Sequence, residues 1–137
     1  MDLEDKVAIV TGGSSGIGKS IVKRFAWEGA DVVIADVDEE KGKSLEEEVD
    51  DAHFKKCDVS SYENLKKVVD ETVEEFGKLD VMVNNAGIGA VEGIEDMEVE
   101  DYEKIRRIDL DGVVYGCKAA APHLKETEGN IINMASI

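Results

Sequence analysis

The sequence has no glutamine, only two cysteines, one proline, and half as many basic residues as acidic ones. Each shortage excludes something. Sixteen Lys and Arg against 32 Asp and Glu give a net charge of −16. A partner bound through phosphates, nucleic acid or an anionic membrane surface, needs clustered cations that this chain does not supply. No apolar run approaches the roughly 20 residues of a membrane span. The opening "MDLEDK" is acidic and has no apolar segment, so no secretory signal is visible and a cytoplasmic location is expected. Cys57 and Cys117 have no Cys-x-x-Cys partner or neighbouring histidine, so both are expected to be reduced and no metal site is expected. His53 and His123 are isolated. The lack of glutamine, alongside abundant Glu and Lys, matches the composition of heat-adapted proteins. With 137 residues and no low-complexity linker or internal repeat, a single domain over 1–137 is expected.

What is present alternates. β-branched runs at "KVAIVT" (6–11) and "DVVIAD" (31–36), and then "AHFKKCDV", "LDVMVNNAG" and "NIINMAS", predict five strands, the last a short buried one through Ile131, Ile132 and Met134. Between them lie helical patterns. "GIGKSIVKRFAWEGA" places Ile17, Ile21, Val22, Phe25 and Ala26 at helical spacing, with Gly29 as a stop. Ser60 and Glu63 form a capping-box pattern for a helix running to Phe76 and Gly77. A long helix is expected from about Glu98 to Lys125, kinked or closed by Pro122. Strand–helix alternation with short turns predicts an α/β fold of βαβ units with right-handed crossovers and a mainly parallel sheet.

"TGGSSGIG" (11–18) joins the first strand to the first helix. Gly12 suits a tight turn, Gly16 a close approach to a pyrophosphate, and Gly18 the packing of helix on sheet. The helix N-terminus adds unpaired N–H groups and a positive dipole end. Gly13 to Ser20 formally fits a P-loop as well, but no acidic strand end of the matching type accompanies it. Asp36 ends the second strand about 20 residues later, where a carboxylate accepts hydrogen bonds from an adenosine ribose and repels a 2′-phosphate. No Lys or Arg follows Asp36 until Lys41. NAD is therefore expected in preference to NADP.

Taken together, these residues resemble the short-chain dehydrogenase/reductase family over the whole chain, which implies a Rossmann-type, doubly wound parallel sheet of five strands in the order 3-2-1-4-5 with helices on both faces. The resemblance rests on four motifs in order: "TGGSSGIG", "CDVS" (57–60), "NNAG" (84–87) and "IINMAS". It implies cofactor contacts from Gly12, Ser14, Ser15, Gly16, Ile17 and Gly18, from Asp36, and from Asn85, Ala86 and Gly87. It also implies that the Asp58 side chain and Val59 backbone hold the adenine, and that Ser136 is the catalytic serine. The family moves a hydride between a nicotinamide and an alcohol or carbonyl, with a tyrosine as acid/base and a lysine tuning it.

Two departures stand out. Where many members carry an asparagine on the long helix, supporting a water in the proton relay, this chain has Asp109. The Tyr-x-x-x-Lys pair expected after Ser136 is not within these 137 residues; Tyr62 and Lys66 have the spacing but belong to another helix. The chain is thus expected to be the cofactor-binding part of a dehydrogenase, without turnover by itself. Two other readings are a stand-alone nucleotide-binding module and a self-associating structural fragment. Homo-oligomerisation is expected through helix 98–125 and an open fifth-strand edge.

Overall fold

The computed structural model describes residues 1–136. Its elements run β1 (Val7–Thr11), α1 (Gly16–Trp27), β2 (Asp31–Asp36), α2 (Glu39–Glu48), β3 (Ala52–Lys56), α3 (Tyr62–Phe76), β4 (Val81–Asn84), α4 (Val99–Arg106), a π-helical segment (Arg107–Asp111), α5 (Gly112–Thr127) and β5 (Asn130–Asn133). The strands form one parallel sheet in the order β3-β2-β1-β4-β5. This is the expected Rossmann-type architecture.

Period-two alternation of side chains explains why the β-branched runs are nearly continuous. Ile9, Val33 and Met82 face α3 and α5, where they join Leu65, Val69 and Ala120. Val10, Val32, Ile34 and Val83 point the other way and join Val22 of α1 and Leu45 of α2. Both faces of the central strands are dry, so their interior positions are apolar, and polar residues such as Thr11 and Asn84 stand at the strand ends. At the lower edge, the buried carboxylate of Asp80 accepts from Val7 N at 2.9 Å and pairs with Lys78 at 3.2 Å.

Four local expectations are corrected. The helix expected over 98–125 is two helices joined by the π segment. α4 buries no residue, whereas α5 lays Gly112 against Val59 and Gly116 against Asn84. The wide turn adds the residue that lets the small-residue face of α5 meet the sheet while α4 stays outside. Pro122 does not close the helix, which continues to Thr127 and ends at Glu128 in a left-handed conformation. The cap of α3 is Ser61, whose hydroxyl accepts from Asn64 N at 3.2 Å. Ser60 is taken instead by Asp58, which accepts from its N–H and hydroxyl at 3.0 and 2.6 Å. Finally, β5 is not buried: Ile131 and Ile132 are 38% and 41% exposed. β5 pairs with β4 along one side, and among the described residues no strand lies along its other side.

Candidate functional site

The C-terminal edges of the strands, where open α/β sheets take ligands, surround a cavity of about 390 Å³. Gly12, Ser15 and Ile17 line it from the glycine-rich loop, Asp36 from β2, Asp58 and Val59 from the loop after β3, and Asn85, Ala86 and Gly87 from the loop after β4. Nine of the residues singled out above thus share one space. Ser14, Gly16 and Gly18 do not line it. Ala35, Val37, Cys57, Ile88 and Ile108 do, and motif reading missed them. Ile108 could not be found that way, because only the π segment brings it to the strand edge.

The loop is held from below. Thr11, 2% exposed, accepts at its hydroxyl from Asn85 N at 2.9 Å and Ala86 N at 3.0 Å. The Asn85 amide returns two bonds, to Thr11 O at 3.1 Å and Gly12 O at 3.2 Å. Asn85 therefore spends its donors on stitching β4 to β1, and its oxygens remain for a ligand. Gly12 turns with φ +62°, a conformation that disfavours any Cβ, and a Cβ there would sit 2.9 Å from Ala86 Cα. Gly16 has φ +55° and open space where a Cβ would be. Ser15 caps α1 without using its hydroxyl, which leaves that group and the first helical N–H groups accessible.

Asp36 is oriented before any ligand arrives. Its Oδ2 accepts from Ser14 N at 3.1 Å and from Ser14 Oγ at 2.6 Å, and its Oδ1 accepts from Asp38 N at 3.1 Å. Ser14 is buried and fully engaged, so it acts on Asp36 and not as an open contact.

Cys57 forms part of the cavity wall. Burial, then the charges of Asp58 and Asp36, push its thiol up to about 12. The thiol favours the folded state below about pH 9, where it is protonated folded or unfolded; this contribution is lost as pH rises towards 12. At pH 8 a thiol reagent should modify one residue of the native chain, the partly exposed Cys117, and both cysteines in denaturant. Intact-mass measurement of two additions on the native chain would contradict this account.

Asp109 lies in the π segment, and its Oδ1 accepts from Ile88 N at 2.8 Å, which ties the loop after β4 to the helix. Ser136 is exposed, three residues beyond β5, and does not line the cavity. Asn84, ahead of the loop, donates to Asn133 Oδ1 at 2.9 Å across the β4–β5 register and fixes the start of the segment that carries Ser136. Among the described residues its own Oδ1 is buried without a hydrogen-bond partner, packed against Gly116. Among the described residues no group of His, Cys, Asp and Glu is arranged to hold a metal, and no helix is long and apolar enough to cross a membrane.

The family model for short chain dehydrogenase matches residues 6–137. The chain belongs to the short-chain dehydrogenase family. Within that family it is 40% identical over 133 residues to an L-fucose dehydrogenase of Oryctolagus cuniculus, an alignment covering 96% of this chain and 47% of that protein. It is 41% identical over 143 residues to a trans-4-hydroxycyclohexanecarboxylate dehydrogenase of Sinomonas cyclohexanicum, covering 97% and 55%. An uncharacterized oxidoreductase of Thermotoga maritima is 43% identical over 140 residues, covering 98% and 54%. The chain spans about half the length of the curated relatives it matches. Family membership implies a nicotinamide cofactor. The cavity suits one: a close-packed backbone turn at Gly12, an oriented carboxylate at Asp36, and an apolar wall at Val59 and Ile108.

Proposed function

We propose that residues 1–137 are the NAD(H)-binding part of an oxidoreductase that moves a hydride between the nicotinamide and an alcohol or carbonyl. One observation supports this above the rest: Asp36 lines the cavity already held by Ser14 and Asp38, where its carboxylate would accept from an adenosine ribose. Gly12, Ser15, Gly16 and Ile17 would receive the pyrophosphate, Asp58 and Val59 the adenine, and Ala86 and Gly87 the adenosine ribose. The bound cofactor supplies the hydride chemistry. Ser136 would hydrogen-bond the reacting oxygen, and Asp109 would hold the loop at Ile88. No Tyr-x-x-x-Lys pair accompanies Ser136 within these residues, so proton transfer has no acid/base here. The expected setting is cytoplasmic.

Calorimetric titration tests this. The chain should bind NAD with a dissociation constant in the micromolar range, about −8 kcal/mol, and show no turnover above background with a panel of alcohols and ketones. Absence of binding, or measurable turnover, would refute it.

A self-associating reading has its own support. Ile131 and Ile132 on the edge strand β5 and Met134 just after it are exposed, as are Tyr102, Leu110 and Val114 along α4–α5. Sedimentation should show dimers or larger species that dissociate on Ile131→Lys. A monomer at high concentration would remove this reading.

A further inference from the structure

The cofactor reading above, on which this inference rests, lays a dinucleotide across the strand ends in the order of the sheet. Adenine belongs at Asp58 and Val59 after β3, its ribose at Asp36 on β2, and the pyrophosphate at the loop after β1. The nicotinamide half then runs on over β4 and β5. The loop after β4 carries Ile88 into the cavity wall, and Ile88 N donates to Asp109 Oδ1 at 2.8 Å. The same oxygen lies 3.4 Å from where a Gly87 Cβ would be. A carboxylate therefore stands against this loop, further along the sheet than Asp36 and Asp58. Nothing neutralises it. Among the described residues Asp109 enters no ion pair, and its second oxygen makes no hydrogen bond. Of the flanking cations, Arg106 is taken by Asp111 at 3.0 Å. Arg107 precedes Asp109 by two positions on a helical segment and faces another side.

We propose that Asp109 makes this site select the oxidised form of the cofactor. The nicotinamide ring carries one positive charge when oxidised and none when reduced. Contacts to the adenosine and pyrophosphate are the same for both forms and cannot distinguish them. An unpaired carboxylate tied to the loop beneath the nicotinamide half attracts only the charged ring. The remaining negative charge of the chain discriminates less, because exposed charges beyond about 10 Å are screened. By linkage, the factor by which oxidised NAD is held more tightly than NADH makes the bound couple a stronger reductant by that factor.

The test uses the 137-residue chain and its Asp109→Asn variant, which keeps an acceptor for Ile88 N and removes the charge. Oxidised NAD is titrated calorimetrically and NADH by its fluorescence. The variant should weaken oxidised NAD about three- to tenfold and change NADH by less than about twofold, and the shift in ratio should shrink in about 0.5 M salt. NADH thus reports that the variant is folded. Asp58→Asn, at the adenine end, should weaken both forms by the same factor. Equal weakening of both forms by Asp109→Asn would mean that Asp109 only holds the loop, and would overturn the proposal. An unchanged ratio, a shift that salt does not reduce, or an equal shift from Asp58→Asn would overturn it as well. If the unsubstituted chain binds neither form, the cofactor reading itself fails, a result distinct from any of these.

Discussion

Gly18→Val is expected to cost about 3 kcal/mol of stability and to abolish dinucleotide binding with it. A Cβ at Gly18 would overlap the Gly12 carbonyl oxygen and lie 2.5 Å from the Asn85 amide nitrogen. Neither neighbour can yield cheaply. Gly12 O is an acceptor for that same amide, and Asn85 is anchored by its backbone N–H to Thr11 Oγ. The helix cannot retreat either, because Val22, one turn further on, is fully buried between β1 and β2. The substitution therefore breaks the seam between β1 and β4 or lifts α1 from the sheet. Gly16→Ala, two residues earlier, should behave in the opposite way. Its Cβ meets nothing within 4 Å, so the only folded-state cost is the left-handed φ, about 1–2 kcal/mol. That open space is where the ligand backbone approach is proposed, so binding should fall by tenfold or more while the protein stays folded. Chemical denaturation and calorimetry on both variants separate the effects. Equal stability losses would mean that the two glycines do the same job.

Much of this was legible in the sequence, for a physical reason. The central strands are dry on both faces, so "VAIVT" and "DVVIAD" leave a continuous apolar signal that short turns then punctuate. With the strands placed, right-handed crossovers follow, while the 3-2-1-4-5 order is implied by the family resemblance. Features decided by contact between distant segments were not legible. The π segment depends on Asp109 meeting Ile88 N and Gly112 meeting Val59, and local periodicity carries no record of either. Ser60 and Ser61 are equivalent as caps until Asp58 captures the first of them. The exposure of Ile131 and Ile132 depends on what pairs beyond β5, although their composition is that of a buried strand. Thr11 looks like an ordinary strand residue, and its hub role exists only because β4 ends beside it.

Asp36→Ala should weaken NAD about 10- to 100-fold and cost about 2 kcal/mol of stability, and the second effect separates two ways in which Asp36 could act. If Asp36 only touched the ribose, its removal would leave the free protein unaffected. Instead, Ser14 is 4% exposed and directs both its N–H and its hydroxyl at Asp36 Oδ2, while Asp38 N uses Oδ1. Removing the carboxylate strands these donors in a buried corner, where each unmet hydrogen bond is costly. Ser14→Ala isolates the hydroxyl's share. It removes the 2.6 Å bond and keeps the 3.1 Å one, so stability should fall by about 1 kcal/mol. NAD should weaken several-fold although Ser14 does not line the cofactor cavity, because the carboxylate loses its fixed orientation. Combining the two substitutions should cost less than their sum, with a coupling of about 1 kcal/mol in both stability and affinity. Additive effects would mean that Ser14 and Asp36 act independently and that the carboxylate is not oriented through the loop. Non-additive losses in both quantities would make the glycine-rich loop and the ribose carboxylate a single unit, assembled by folding before any nucleotide binds.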